Sequence, residues 1–454
     1  MAFLEADPRE DMGYSGHSHM TNHRIYGQPV LLLLGTVLCA AGMWLYAQRI
    51  LIPHQVADAA AHGRSRGNFS DLYPRWVGAR ALLLYGRDPY SAETTREIQA
   101  GYYGRPLDPS QHDDPKDQQA FAYPVYIVFY LAPTLHLPFE TVQRGFFWIL
   151  LVLTCSSVLV WLRILRWSAS PWAQASMIAL TLGSLAVMQG LKLQQMSLLV
   201  AAFVAVVVAL LVEDHPIPAG IVLALATIKP QLVWPLLAWL GLWTAADWKR
   251  RYRWAAAFFI TMAILYATSE WCLPHWVPRF WQAVRDYRNY TGATSVLQNL
   301  VPLPWSRILE VVAGLATALV CWRERSKPAS DDSFGRTSCL VLAMTVLVIP
   351  TSSPYNQVLL VPAVLMLARD WHSIWDEKLA LRVLLVFATL LIAWPWLSST
   401  ILAVLSFVWL PAVIQRSWAV PFWTVLFLPP AVVTLALVHL YRQSFAHSAR
   451  RLPA

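Results

Sequence analysis

Apolar runs of about 20 residues recur along this chain, and that is the length an α-helix needs to cross a bilayer. Residues 30–51, 142–165, 172–190 and 196–212 are four of them. Of the 454 residues, 57% are hydrophobic and 13% charged, about half the charge of a typical soluble domain. Inside lipid every backbone polar group has to find a partner within the protein, and helices supply it. The fold class expected is therefore all-α, a polytopic transmembrane helical bundle. The 23 Trp fit aromatic belts at membrane interfaces, and the 30 Pro can kink spans whose freed carbonyls find other partners.

The net charge of +9 reports basic inner loops and contact with anionic membrane lipids. Nucleic acid is not an expected partner, because no aromatic and basic patch lies on a soluble domain. Cys39, Cys155, Cys272, Cys321 and Cys339 make no CxxC pair and read as small buried hydrophobes.

Residues 1–28 read as a disordered cytoplasmic tail rather than a cleavable signal peptide. The cluster His17, His19 and His23 within it can bind metal, but a tail is the simpler reading. Arg9 and Arg24 place this segment inside. After the first span, 30–51, comes a first outer loop over 53–120. There, Trp76, Ala79, Leu83 and Leu84 fall on one side of a helical pattern with Arg75 and Arg80 off it, which predicts an interfacial helix over 75–85. A second short helix is expected over 93–102 and a polar loop over 108–119.

Spans are then expected over 121–137, 142–165, 172–190 and 196–212. The run 217–245 is too long for one straight span and carries Lys229-Pro230 at its middle. It reads as one crossing, made by a broken helix or two half-helices. Residues 247–253 are strongly basic and so cytoplasmic, 254–268 crosses back, and 270–304 is a second outer loop with an amphipathic piece at 280–290. Residues 305–322, 337–349 and 358–367 add spans, and two or three more fill 379–441. The total is about 12 spans. This layout makes 29–441 a single transmembrane domain and 442–454 a basic tail. It also leaves Arg163 and Arg166 on the outer side, against the positive-inside rule.

No GxGxxG, Walker loop, GxSxG, HExxH or CxxC motif is present. What remains is a polar set at the outer face. Asp71 starts the predicted interfacial helix, where an anion is stabilised, so a helix cap and a catalytic base are both open for it. Asp88, in Gly86-Arg87-Asp88-Pro89-Tyr90, reads as a turn former. Lys229 sits in an apolar run, where a buried ammonium is costly. It suits a phosphate, or it pairs with an acid in the bundle. Gln194, Gln195 and Ser197 open a span and can cap it. Ser352, Ser353, Tyr355 and Asn356 either cap free amides or hydrogen-bond a sugar. Asp113, Asp114 and Asp117 can hold a divalent ion, with a solvated loop the simpler reading.

Four segments in order resemble the polyprenol-phosphate-mannose-dependent α-mannosyltransferases of the GT-C superfamily. Asp71-Leu72-Tyr73, running through Ala81-Leu82-Leu83 to Gly86-Arg87-Asp88-Pro89-Tyr90, is similar to the family's acid, apolar helix and G-x-D-P-Y turn. Phe121-Ala122-Tyr123-Pro124, with Pro133 and Pro138 downstream, resembles an F-x-Y-P-P entry. Gln195-Met196-Ser197-Leu198-Leu199, then Ala219-Gly220 and Ile228-Lys229-Pro230, is similar to G-Q-x-N-L-L, A-G and x-K-P. Ser353-Pro354-Tyr355-Asn356 is close to a late S-P/Y motif. The chain departs at Gln194, where the family usually has Gly, at Ser197 for Asn, and at Val125 for the second Pro. The resemblance spans residues 68–360.

The resemblance implies an inverting glycosyltransferase in a bacterial plasma membrane, working at the extracytoplasmic face. It would move a sugar from a polyprenyl-phosphate donor to a lipid-linked or glycan acceptor. Mannose comes from the resemblance alone, and arabinose or another pentose stays open. Asp71 would be the general base. Lys229, Gln195, Tyr123, Tyr355, Asn356, Arg75 and Tyr90 would form the substrate-binding set, and no metal or cofactor is called for. The competing reading is a multi-span transporter or lipid flippase using the broken helix at Lys229-Pro230. The acid-bearing outer loop and the lack of a clear inverted repeat argue against it. A non-catalytic scaffold would leave Lys229 without a purpose.

Overall fold

The computed structural model describes residues 18–64, 70–108, 110–111 and 113–449, with side chains from residue 29 to residue 443. His17, the side chains of His19 and His23, Asn68, and the tail beyond residue 449 lie outside the described residues. Helix makes up 77% of the structure, and no strand occurs among the described residues. Five helices are long and apolar enough to cross a membrane: Pro29–Ala61, Phe139–Ile164, Trp248–Cys272, Trp305–Glu324 and Leu379–Leu405. A sixth is the pair Pro171–Leu182 and Leu185–Lys192, bent by 60°. Large apolar side chains such as Leu31, Trp148, Phe259, Leu315 and Leu379 are exposed on these helices, as lipid-facing surfaces require.

α1 (Ser18–Tyr46) continues through a π-helical turn into α2 (Ile52–Ala61), so this helix runs ten residues past the expected end of the first span. α3 (Tyr73–Tyr85) and α4 (Ala92–Tyr103) follow. The expected helix forms, but its apolar residues are packed into the protein and do not present an open apolar face. Pro74, Trp76, Val77, Ala79, Ala81 and Leu82 are all buried, and Gly78 packs against the Phe121 ring so closely that a Cβ would sit 2.2 Å from it. The expected span at 121–137 does not form either. It holds only α5 (Ile127–Leu131) and one 3-10 turn, because Pro124 and Pro133 interrupt it and Pro138 follows directly.

The remaining helices are α6 (Phe139–Ile164), α7 (Pro171–Leu182), α8 (Leu185–Lys192), α9 (Met196–Val212), α10 (Pro216–Ala226), α11 (Pro230–Ala246) and α12 (Trp248–Cys272). α13 (Trp276–Thr291) and α14 (Val296–Leu300) precede α15 (Trp305–Glu324) and α16 (Asp332–Val348). A 3-10 segment (Pro354–Leu360) leads to α17 (Val361–Arg369), α18 (Trp371–Trp375), α19 (Leu379–Leu405), the short α20 (Pro411–Ile414) and α21 (Leu428–Ala449).

Contacts between helix ends define two poles. At one, Arg163 pairs with Glu213 at 3.0 Å, and the Arg251 guanidinium donates to the carbonyls of Trp243, Arg325, Ser326 and Lys327. Arg369 pairs there with Asp332 and Asp370, His439 lies 2.9 Å from Asp370, and Arg442 reaches Glu377. This is the basic pole. At the other, the Asp71 N–H donates to Leu193 O at 3.0 Å, and the Tyr126 hydroxyl donates to Thr227 O at 2.9 Å.

Two corrections follow. The apolar run 217–245 is two helices, not one crossing: α10 leaves the basic pole, and α11 returns to it from a turn at Thr227–Lys229. Arg163 and Arg166 lie at the basic pole, Arg166 bonded to the Ser330 carbonyl, because the missing span at 121–137 reverses the sense of α6. The segment 379–441 holds two long helices, and α21 ends at the basic pole.

α10 packs on α12 at backbone contact through Gly220. A Cβ there would meet Trp254 O at 2.1 Å and Phe258 N at 2.8 Å, the close approach that small residues allow between membrane helices. Gly220→Leu is expected to lower the melting temperature in detergent by the equivalent of about 1–3 kcal/mol or more. Gly145→Leu, where nothing lies within 4 Å of the added Cβ, should melt like wild type.

Candidate active site

Pro230 pushes the preceding residue out of the helical region, and Lys229 has φ −124° and ψ 79°. α10 therefore ends just before Lys229 and α11 begins just after it, which sets the ammonium at a junction rather than midway along a helix. It is buried, 6% exposed. Its Nζ donates to Gln195 Oε1 and to Ser197 Oγ, both at 2.8 Å, and lies 5.0 Å from the Tyr355 ring centre and 6.0 Å from that of Tyr123. Among the described residues no Asp or Glu pairs with it. A buried ammonium with only neutral acceptors is costly, so the expected alternative of a bundle acid does not account for it.

Gln195 joins this cation to the acid. Its amide nitrogen donates to Asp71 Oδ2 while its amide oxygen accepts from Lys229 Nζ. Gln195 occupies the N-cap position of α9, yet its side chain caps nothing. The Asp71 carboxylate likewise caps nothing, for the N-cap of α3 is Leu72. Its other oxygen accepts from the Tyr102 hydroxyl at 3.4 Å. Its backbone is pinned by the bond to Leu193 O and by Ser70 Oγ, which donates to the same carbonyl at 3.2 Å. The chain of bonds continues from Ser197 Oγ to Asn356 Oδ1 at 2.7 Å, and from Asn356 Nδ2 to Thr351. Gln194, between these elements, has φ +47°, a left-handed conformation that favours glycine. Its side chain holds it there with bonds to Leu191 O and Gln143.

These residues line one end of a cavity of about 700 Å³. Asp71, Arg75, Tyr123, Lys229, Tyr355 and Asn356 all border it; Gln195 stands behind them as the bridge. The Arg75 guanidinium lies 4.4 Å from the Tyr123 ring centre and donates to the Asp71 carbonyl. Tyr90 is not on the cavity wall. Its hydroxyl donates to Tyr123 O at 2.6 Å and its ring meets Phe121 edge-on, so it supports Tyr123 from behind. Asp88 forms the expected turn, accepting from Tyr90 N at 2.9 Å, and also pairs with Arg279 of α13 at 2.8 Å.

The opposite end of the cavity is apolar: Trp234 and Leu237 from α11, Phe258, Met262 and Tyr266 from α12, and Val277, Phe280 and Trp281 from α13. Trp234 and Trp281 are 57% and 61% exposed, so this end opens sideways onto the outer surface of the bundle. The buried Trp276 borders it, and its indole N–H has no partner.

Sequence reasoning named Asp117 only as a candidate ion ligand and missed Gln119, Tyr287 and Arg288, all of which line the cavity. Asp117 had read as part of a solvated acidic loop. Instead it turns inward, accepting from Gln119 N at 2.9 Å and Gln119 Nε2 at 3.0 Å, while Asp114 pairs with Arg105. The alternation of Asp117 and Gln119 within the polar stretch was the available signal. Three cations, Arg75, Lys229 and Arg288, thus face two acids. Among the described residues no group of three or more His, Cys, Asp or Glu could hold a metal.

Residues 121–350, just over half of the chain, match glycosyltransferase family 87. The chain belongs to glycosyltransferase family 87. No curated protein matches it. This family 87 glycosyltransferase carries Tyr123, Gln195 and Lys229 within the matched region, whereas Asp71, Arg75 and Tyr90 precede it and Tyr355 and Asn356 follow it.

Burial pushes the Asp117 carboxyl above its ordinary value of 3.8, against the Gln119 N–H that favours the anion. With the folded value raised, the native state keeps a proton that the unfolded chain releases, so stability falls as pH rises above 3.8 through the raised value. Asp117→Asn should remove this fall, read as a flatter melting temperature between pH 4 and 7.

Proposed function

We propose that this glycosyltransferase is inverting and takes its sugar, mannose on the sequence resemblance, from a polyprenyl-phosphate donor. The observation that carries the reading is the two-ended cavity: a polar end joining Asp71 to an unneutralised Lys229 through Gln195, and an apolar end open toward lipid. A lipid-phosphate sugar has the same two ends. Its isoprenoid tail would enter between α11, α12 and α13, and its phosphate would lie against Lys229, Arg75 and Arg288.

The reaction is then a single displacement. The acceptor hydroxyl attacks the anomeric carbon, Asp71 takes the hydroxyl proton, and the bond from that carbon to the phosphate oxygen breaks with its electron pair going to phosphate. Tyr102 and Gln195 hold the carboxylate in place for this, as a base must be within about 3 Å of the proton it takes. The cations stabilise the charge gathering on the departing polyprenyl phosphate. The acceptor is a lipid-linked or glycan hydroxyl.

The layout supports an integral membrane protein of about 12 crossings. α1, the α7–α8 pair, α10, α12, α16 and α19 run away from the basic pole, and α6, α9, α11, α15, α17 and α21 return to it. By the positive-inside rule the basic pole is cytoplasmic, which sets the cavity at the extracytoplasmic side. α10 has 11 residues and rises only about 16 Å. Lys229 therefore lies below the outer interface, and the phosphate has to dip to reach it. The α10–α11 turn that suggested a transporter serves here as the floor of the cavity.

Purified protein incubated with several polyprenyl-phosphate sugars and membrane extract, with products identified by mass spectrometry, tests the donor class. Asp71→Asn should lower kcat by about 10²–10⁴-fold while the protein still folds. Near-normal transfer by that variant sinks the base assignment. Lys229→Met should cut kcat by about 10²-fold or more if the ammonium stabilises the leaving phosphate.

A further inference from the structure

Beside the cavity lies a second hollow of about 550 Å³, and its chemistry is different. It runs between residues 107–118 and the end of α13, and hydrogen-bonding side chains dominate its lining, among them Gln111, Lys116, Gln118, Asn289 and Thr291. The wall between the two hollows is a single non-helical strip, residues 116–119. Asp117 and Gln119 face the cavity, whereas Lys116 and Gln118 face the groove. The end of α13 divides in the same way, with Tyr287 and Arg288 on the cavity and Asn289, Tyr290 and Thr291 on the groove.

This wall is built, not incidental. The buried Gln99 of α4 donates to both the backbone and the side-chain oxygen of Gln118 at 3.1 Å and accepts from Leu107 N at 3.1 Å. The Tyr103 hydroxyl donates to Asp117 O at 2.7 Å. Gln119 is held at φ +52°, a costly conformation for a residue with a side chain, by the two bonds to Asp117.

The acids of the groove are already engaged. Asp108 accepts from Ser110, and Asp114 accepts from Arg105 and from Asp108 N. What they leave on the wall are amides, an ammonium and a tyrosine, and the Tyr290 hydroxyl is buried without a partner. Neither an apolar chain nor a strongly charged ligand suits that lining. A neutral polyhydroxylated ligand does, and the volume is within the roughly 300–1,000 Å³ of small-ligand sites.

We infer that this groove holds the non-reacting saccharide of a glycan acceptor, seated across the Lys116–Gln119 strip so that its terminal sugar passes Asp117 and presents a hydroxyl to Asp71. The inference rests on the donor reading above and assigns the acceptor class. Donor and acceptor then enter by separate routes, the donor sideways through apolar walls and the acceptor over the outer loops. Asp117 and Gln119 are the positioning residues where the routes meet.

The test uses the full chain in nanodiscs and water-soluble oligosaccharides of two to four hexose units, with saturation-transfer NMR for binding. Wild type and Asp71→Asn should bind the same oligosaccharide. Asn289→Trp, which fills the groove, and Tyr290→Phe, which removes the unpartnered hydroxyl, should weaken binding, the former by about tenfold or more. In the transfer assay the same two variants should raise the acceptor KM with the donor KM within about twofold, a split that general damage to the fold would not give. Absence of oligosaccharide binding to wild type, or unchanged binding by both variants, overturns the inference. Failure of the donor reading shows separately, as wild type that turns over no polyprenyl-phosphate sugar. Binding that is retained in that case still upholds the groove as a saccharide site.

Discussion

A single buried ammonium organises this structure. An ammonium placed among apolar helices costs about 3 kcal/mol on membrane-insertion scales, and the chain supplies Lys229 with oxygen acceptors and aromatic faces but no direct counter-charge. Each of those partners comes from a different part of the sequence: Gln195 and Ser197 from the start of α9, Tyr355 from the 3-10 segment before α17, and Tyr123 from the loop before α5. Holding the ammonium therefore draws those segments to one point. Pro230 fixes where along the run this happens, since it ends α10 at the residue before it. The turn exposes the carbonyl of Thr227, and the Tyr126 hydroxyl satisfies it, which is how a helix break is tolerated at membrane depth.

α3 and α13 sit over this floor by packing rather than by charge. The Arg279–Asp88 pair that ties α13 to the first outer loop is 41% and 30% exposed, and exposed pairs contribute about 0–1 kcal/mol. The stronger ties are apolar and buried. Trp276 meets Tyr126 edge-on at 6.0 Å, Phe139 meets Tyr73 edge-on at 4.9 Å, and Phe121 fills the space left by Gly78. Trp281 of α13 is left 61% exposed at the edge of this packing.

Much of the site was legible because polar residues in apolar surroundings need a reason. Asp71, Gln195, Lys229, Tyr355 and Asn356 stood out on that ground, and all meet within one network or cavity. What misled was length. Residues 121–137 are apolar enough for a span, yet Pro124 and Pro133 within them and Pro138 just after leave them as wall. In residues 217–245 the reversal between α10 and α11 is marked only by Thr227, Lys229-Pro230 and Gln231, and so short a polar break reads equally as a kink within one crossing. The misplacement of Arg163 and Arg166 followed from the first of these, since counting 121–137 as a crossing inverts the sense of α6. Asp117 was lost for the opposite reason. Its polar neighbours suggest solvent, and its burial depends on α4 and α13, which no local pattern brings near.

Gln195 marks where two parts of the molecule become one site. The region that matches the family supplies the cation, the apolar walls and Gln195 itself, while the acid arrives from the outer loop that precedes the match. An acid and an ammonium in direct contact would neutralise each other and leave neither for substrate. A primary amide between them prevents this, because it is a donor at one end and an acceptor at the other. It gives the carboxylate a hydrogen bond without a positive charge and gives the ammonium one without a negative charge. Glutamate, of the same length, would set a second carboxylate against Asp71 and cancel Lys229. The separation of acid from cation by one neutral side chain thus keeps both charges available at the same end of the cavity, as the proposed proton transfer and phosphate departure require.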